Sequence, residues 1–498
     1  MPDRLRKIVV VGGDAAAASV AAGIAYSLRD TGILLTLVDD PAQYRGIAST
    51  LPSTVNYHHH LGIEDASLIR ATGATCKLGY EYIGWGHPDN RFVVTTGASG
   101  VPIRLIAFHH YIARERLRGG GASLDDYSLA AVLAENGRFM PPSADGNEVT
   151  SSYRYGLHLD RQRYATALAR IAEGFGADVR KSTVTKANRN AESGFVESVE
   201  LADGDTVEGD LFIDCSGERA VLIGHALEVD FETWQNTLPC DRSVAVESTG
   251  TFDQQPVTRI IAKPHGWMRR VQLLDRSHFE YFYSSGNASE EDVLRNISND
   301  VPGAGDIVQR RDIVRGHRST PWCGNVVAIG RAAADFESLE SSSLTRAHKA
   351  VLRLLNLLPD RDCNPAIAAE FNRLCVDELL QIRDLIALCY ARNGRRNEGF
   401  WAYCSSLETP ESTSKRLNLF ETHGRFLYRD YDAAGEDYLV ALLTGLGCLP
   451  RGYDPLADAL PQSALDERLA NLRNLVADAV ARAPTHQEYL SNIHGPAG

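Results

Sequence analysis

An α/β fold that opens on a Rossmann-like dinucleotide-binding unit and ends in a mostly helical part is predicted by three observations. The first forty residues read strand, glycine turn, helix, strand. Two later apolar runs, Leu211 to Ile213 and Asn325 to Ile329, end at glycines, Gly217 and Gly330. From about residue 345 the apolar spacing becomes helical.

Ile8 to Val11 is a continuous apolar run, as a strand buried on both faces requires. Gly12 and Gly13 follow, then the small, helix-compatible stretch Ala15 to Leu28, then a second strand, Leu34 to Val38, closed by Asp39 and Asp40. Residues 41–60 are rich in turn formers and end in His58, His59 and His60. Three consecutive histidines cannot all face one metal from a regular element, so a partly exposed loop or helix start is expected and no metal. Residues 118–152, with Gly119-Gly120-Gly121 and Pro141-Pro142, are loop-rich, and Leu159 to Phe175 has helical spacing. Helices are predicted over 345–358, 365–392 and 463–482. In the last, Leu465, Leu469, Leu472 and Val476 line one face as core, with Ser463 able to cap the start.

The chain has 498 residues, enough for two or three structural units, and 44% apolar against 23% charged residues, enough for a sizeable core. A net charge of −13 argues against a nucleic-acid partner, which needs clustered Lys and Arg. Nine scattered cysteines without CxxC spacing read as reduced thiols of a cytoplasmic protein and give no zinc site. No run of 18 apolar residues and no signal-peptide cleavage site is seen, so neither a membrane span nor export is expected.

A Rossmann turn seats a pyrophosphate on the N-terminus of its first helix, where backbone N–H groups and the helix dipole favour an anion. The usual pattern is GxGxxG; here it reads Gly12-Gly13-Asp14-Ala15-Ala16-Ala17. Gly12, Gly13 and Ala15 are the candidate cofactor contacts of this turn. Alanine at the last position only sets helix–strand packing. Asp14 stands where a glycine lets the backbone approach the phosphates. A carboxylate about 4 Å from a phosphate costs about 4 kcal/mol at an effective dielectric near 20. Asp39, at the end of the second strand, is placed either for an adenosine ribose hydroxyl or in a solvated turn.

Beyond the turn, Ala74-Thr75-Cys76-Lys77-Leu78-Gly79 and Tyr82-Ile83-Gly84-Trp85 resemble the stretch of flavin-dependent tryptophan halogenases that carries their catalytic lysine. Further blocks follow in that family's order. They are Phe108-His109-His110-Tyr111, Leu124-Asp125-Asp126-Tyr127-Ser128-Leu129-Ala130, His158-Leu159-Asp160, Phe212 to Gly217, Asn325 to Gly330, Phe336-Glu337-Ser338-Leu339-Glu340-Ser341 and Gly445 to Asp458. The resemblance spans nearly the whole chain. It implies an FAD-binding fold of the flavin monooxygenase/halogenase type. In domain terms, residues 1–345 form the flavin module, interrupted by substrate-side segments at about 74–150 and 235–310, and 346–498 form a helical substrate-side part.

The same resemblance implies the chemistry. Reduced FAD, supplied in trans by a separate flavin reductase, turns oxygen and halide into hypohalous acid. A lysine receives that oxidant, and a nearby carboxylate orients it and takes the ring proton. Lys77 and Glu340 fit those catalytic roles, Ser341 the halide, Gly217 and Gly330 the flavin, and His109 and His110 the substrate side. The substrate would be an electron-rich aromatic, of indole or phenol type, as a small molecule or in a peptide; a homodimer is compatible with this reading. Glu337 and Glu340, three apart, could instead be exposed acids on one helix face.

Three departures from the family fall on the flavin side. Asp14 is one. The family's WxWxIP reads Trp267-Met268-Arg269-Arg270-Val271-Gln272, so a cation replaces the second tryptophan of a motif thought to shield the flavin. Ala48 stands where an acid precedes the step Ser49-Thr50-Leu51-Pro52. They leave two alternatives to halogenation: flavin-dependent monooxygenation, or binding without catalysis by a flavin-poor homologue.

Overall fold

The computed structural model describes residues 4–40, 46–250, 252–340, 342–395, 397–426 and 434–494. They form two compact units. The first comprises 1–74, 159–235 and 308–380; the second comprises 75–158, 236–307 and 381–498.

The first unit is built on a six-stranded sheet. Its order is Trp322–Cys323, Val326–Ala328, Leu211–Asp214, Lys7–Val11, Leu34–Val38, Asp178–Arg180. All neighbours run parallel except the first two. The opening strand is central. Ile8 pairs with Leu211 on one side and with Leu35 on the other. Val9, Val10 and Val11 are at most 2% exposed, which explains the unbroken apolar run. The chain leaves this strand towards one side and later returns on the other, so the strand order reverses there. Open α/β sheets bind their ligands at such a switch point, beyond the carboxyl ends of the strands.

Helix Ala15–Leu28 packs on helices Arg161–Gly174 and Ser343–Asn356 through small side chains. The approach is close: a side chain on Gly23 would strike the Tyr57 hydroxyl, which donates to the Ser19 carbonyl at 2.5 Å. Two small three-stranded sheets complete this unit. One holds Val184–Arg189, Val196–Leu201 and Thr206–Glu208; the other holds Phe231–Thr233, Gly316–Arg318 and Ala334–Asp335.

In the second unit, Arg242–Ser248, Ser277–Tyr283, Gly266–Gln272, Val257–Lys263, Gly79–Ile83 and Arg91–Thr95 lie side by side in that order. Only the pair Val257–Lys263 and Gly79–Ile83 is parallel. Strand Thr75–Lys77 pairs antiparallel with the strand starting at Gly156, setting Thr75 opposite His158 and Lys77 opposite Gly156. An aromatic core of Trp85, Trp267, Tyr390 and Trp401 sits against the helices; the Trp267 indole N–H donates to the Tyr390 hydroxyl at 2.8 Å.

The structure corrects three local expectations. Of the turn-rich stretch 41–60, residues 41–45 lie outside the described residues; Ile47–Ser49 is a strand and Pro52–His60 a helix that the three histidines end rather than start, with proline in its first turn, where a missing N–H costs nothing. His58 is fully buried rather than partly exposed. The helix predicted from Ser463 starts at Gln462 with Pro461 at the cap, so Ser463 does not cap it. Its predicted stripe holds: Leu465, Leu469 and Val476 are buried and Leu472 is half-buried. No helix among the described residues is long and apolar enough to cross a membrane.

Candidate active site

In the first unit the glycine turn joins the central strand to its helix. Gly12 takes φ +147°, and a side chain on it would run into the Cys215 carbonyl; one on Gly13 would meet the Asp40 carbonyl. Both positions therefore need glycine. Gly217 and Gly330, beyond the ends of strands Leu211–Asp214 and Val326–Ala328, have φ +69° and +73°. Ala15 is fully buried in the first helical turn. Asp39 follows the second strand, its N–H donating to the Arg180 carbonyl at 2.8 Å. Its carboxyl is pushed up by burial and by Asp40, with Lys181 opposing. The backbone of this crevice has the shape of a dinucleotide groove.

Asp14 departs from the expected repulsion in a specific way. Its carboxylate turns back and caps the helix, accepting the N–H groups of Ala16 at 2.9 Å and Ala17 at 3.1 Å. A short acid is a preferred cap because it satisfies donors that have no partner within the helix. The same donors are the ones a phosphate would use. A phosphate placed at this helix start would compete with the side chain for those two N–H groups.

The segment after Ala334–Asp335 carries the candidate acid. Glu337 is fully buried and Glu340 is 5% exposed. Neither lies in a helix, so the reading as exposed acids on a helix face is wrong. Ser341, the halide candidate, lies outside the described residues. On helix Ser343–Asn356, Arg346 lies over the Phe336 ring at 4.2 Å.

A buried polar chain, which the sequence did not announce, lies in the same unit. The Tyr164 hydroxyl is 2.8 Å from His58 Nε2 and 3.2 Å from His348 Nε2; His348 Nδ1 reaches Thr54 Oγ1 at 3.2 Å. Thr345 Oγ1 accepts the Leu51 N–H at 3.2 Å. Burial holds His58 down to about 3 and His348 well below its ordinary value.

In the second unit, Lys77 is 3% exposed, and its ammonium sits 3.4 Å above the centre of the Tyr80 ring. A cation over an aromatic face is attracted by the ring quadrupole, more strongly when desolvated. His158, fully buried on the adjacent strand, is fixed between Thr75 Oγ1 (3.1 Å) and Thr258 Oγ1 (2.8 Å). Burial first, then the charges of Lys77, His486 and Arg269, keep it neutral. His486 Nε2 accepts the Cys76 N–H at 3.1 Å, and its imidazole is held at about 4 by burial. The sequence signalled Lys77 but neither Tyr80 nor His486.

Arg269 is not a bare cation. Its cross-strand partner is Glu280, at 2.5 Å, and Ser243 Oγ also donates to that carboxylate at 2.9 Å. Both members of the pair are buried. The charge that stands where the family has a tryptophan thus brings its own counter-charge, in a buried ion pair. His109 and His110 are both buried on helix Phe108–Leu117. His109 Nε2 donates to the Gly424 carbonyl at 2.7 Å, and His110 Nδ1 accepts the Asp454 N–H at 3.3 Å.

A family model described as tryptophan halogenase matches residues 7–462. The chain belongs to the tryptophan halogenase family. It is 34% identical to a solved flavin-dependent halogenase from Brevundimonas sp. BAL3, with a TM-score of 0.94, covering 99% of this chain and 100% of that one. A flavin-dependent halogenase from Xanthomonas campestris is 31% identical, with the same TM-score of 0.94 and 99% of each chain covered. The tryptophan 7-halogenase of Lentzea aerocolonigenes is 26% identical over 99% of this chain and 100% of its own length.

Members of the tryptophan halogenase family are FAD-dependent enzymes, served by a separate flavin reductase and acting on an aromatic substrate with halide. The groove fits FAD in its backbone: strand ends, glycines and helix are in place. The anion subsite fits only once Asp14 turns aside. Replacing Asp14 with glycine is therefore expected to tighten FAD binding tenfold or more, read by quenching of flavin fluorescence. Glycine is also an acceptable cap, costing only a few tenths of a kcal/mol relative to the acid. Equal affinity in variant and parent would show that the carboxylate does not compete.

Proposed function

We propose that this tryptophan halogenase family member halogenates an electron-rich aromatic of indole or phenol type, with Lys77 and Glu340 as its catalytic residues. The observation that carries the reading is the burial of Lys77 with its ammonium on the Tyr80 ring, within a chain that the family model matches from residue 7 to 462. Lysines are almost never buried without a partner, and this one lies in the stretch that resembles the family's lysine segment.

Bound FAD, reduced elsewhere, would supply hypohalous acid. Gly12, Gly13, Ala15, Gly217 and Gly330 would hold its phosphates and ring system through backbone, and Asp39 its ribose; Ser341 would contact the halide. The Lys77 ammonium donates a hydrogen bond to the oxygen of hypohalous acid. As the aromatic carbon takes the halogen, the O–halogen bond breaks and that oxygen leaves with the lysine proton as water. The ring then loses its proton to the Glu340 carboxylate, and proton exchange with solvent restores both groups. His109 and His110, each engaged with backbone, would serve the substrate side by fixing the wall of the pocket rather than by proton transfer.

The test is turnover with bromide or chloride, indole, FAD, NADH and an added flavin reductase. Halogenated indole is the expected product, identified by its isotope pattern. Hydroxylated indole alone would favour the monooxygenase reading, and no FAD binding at any concentration would remove both.

A further inference from the structure

Tyr80 lies on strand Gly79–Ile83, which follows Lys77 directly in the chain. The Lys77 ammonium sits over its ring, 3.4 Å from the centre, and both side chains are buried. The halogenation reading uses this ring only as a platform for the cation. A phenol is itself an electron-rich aromatic, however, and an electrophile attacks such a ring from its face. That face is where the ammonium stands.

The other reactive groups nearby are placed differently. Successive residues of a strand point to opposite faces, so the Cys76 thiol and the Lys77 side chain leave strand Thr75–Lys77 on opposite sides. Across from Lys77, the neighbouring strand has Gly156, which brings no side chain. His158 has a hydroxyl at each ring nitrogen. Tyr82, two positions beyond Tyr80, stacks on Phe92 with ring centres 5.0 Å apart, and Trp85 packs edge-on against Trp401 at 4.9 Å.

We infer that Tyr80 is a self-halogenation site, marked by the oxidant held at Lys77 whenever no substrate aromatic is bound. The inference rests on the reading of Lys77 given above. The Lys77 ammonium hydrogen-bonds the oxygen of hypohalous acid. A ring carbon ortho to the Tyr80 hydroxyl, enriched in electrons by that hydroxyl, gives an electron pair to the halogen. The O–halogen bond breaks, its electrons stay with oxygen, and the oxygen leaves as water with the lysine proton. The ring proton then passes to the amine above it, which restores both the aromatic ring and the ammonium. Hypohalous acid and tyrosine have become halotyrosine and water. The new halogen adds volume to a close-packed core directly beneath Lys77, where overpacking displaces neighbours. Turnover without substrate is thereby self-limiting.

The full chain is incubated with bromide, FAD, NADH and a flavin reductase, with and without indole, and then digested with trypsin. Cleavage after Lys77 and Arg91 yields peptide 78–91, which holds Tyr80, Tyr82 and Trp85 together. Without indole, fragmentation should place bromine, recognised by its isotope doublet, on Tyr80. Occupancy there should exceed that of Tyr82, Trp85 and the half-buried Tyr26, Tyr403 and Tyr453 by about tenfold, because a positioned donor outcompetes free diffusion. Indole should suppress the mark, and Lys77→Ala should reduce it to the level of the other tyrosines. Tyr80→Phe should carry no bromine at position 80; if either variant misfolds, the pattern in the parent decides. A second arm adds substoichiometric hypobromous acid to the chain without FAD. Bromoindole formed when indole is present, with Tyr80 unmarked when it is absent, would overturn the inference and leave the halogenation reading standing. No bromoindole, with Tyr80 marked selectively by added hypobromous acid, would sink that reading and uphold the inference. A mark shared equally with Tyr82 or Trp85, a mark kept in Lys77→Ala, or no mark in either arm would each overturn it.

Discussion

Lys77→Ala is expected to abolish halogenated product, by at least a hundredfold, while oxidation of reduced FAD and release of hypohalous acid continue. The asymmetry follows from the order of events: the lysine handles the oxidant only after it exists. Trapping free hypohalous acid with a chemical scavenger separates the two outcomes. A variant that loses flavin oxidation as well would place Lys77 in cofactor binding instead. Removing the ammonium leaves the Tyr80 face, 2% exposed, without its cation, so the melting temperature of the variant is measured beside its turnover. Glu340→Gln should slow turnover about a hundredfold, the lower end for losing a positioned proton acceptor.

Arg269→Met should cost the second unit about 3–5 kcal/mol. The Glu280 carboxylate, 1% exposed, would remain buried without its guanidinium, and single removal of one member of a buried pair carries that penalty. The double variant Arg269→Met/Glu280→Leu should recover most of the loss or exceed the parent, because replacing both members by apolar groups is often neutral or better. Denaturant midpoints of the three proteins check this. Arg269→Trp alone, which would restore a family-like residue, should be destabilised in the same way and should not by itself restore a family-like flavin environment. A single variant as stable as the parent would mean that Glu280 is protonated or otherwise compensated.

How far the sequence could be read depends on how local each signal was. The opening strand, its glycine turn and helix were legible because periodicity, turn chemistry and small-residue packing are properties of neighbours in the chain. Lys77 was legible as a word within a longer resemblance. Asp14 was identified as anomalous, but its direction was not legible. Whether a carboxylate faces a phosphate or folds back on two N–H groups depends on the geometry of one helical turn, which the letters do not carry. The partner of Arg269 was hidden for a different reason. Glu280 lies eleven positions away on the adjoining strand, and their meeting depends on hairpin register. His58 was misjudged as partly exposed, and an exposed alternative stayed open for Glu340, because composition alone marks charged and imidazole groups as surface. Tyr80 escaped notice since an aromatic at strand spacing is the ordinary signature of a core.

The buried imidazoles have a consequence for the acid side of the pH scale. His58, His348, His158 and His486 all have values below those of a free histidine. Such a ring accepts its proton only when the chain opens. What each contributes to folding is complete above about pH 6.5 and is lost progressively as pH falls towards the folded value, at about 1.4 kcal/mol per unit. For His58 that window runs down to about 3, and for His486 to about 4. Acidification therefore acts on both units, through neutral groups that leave no ion pair to break.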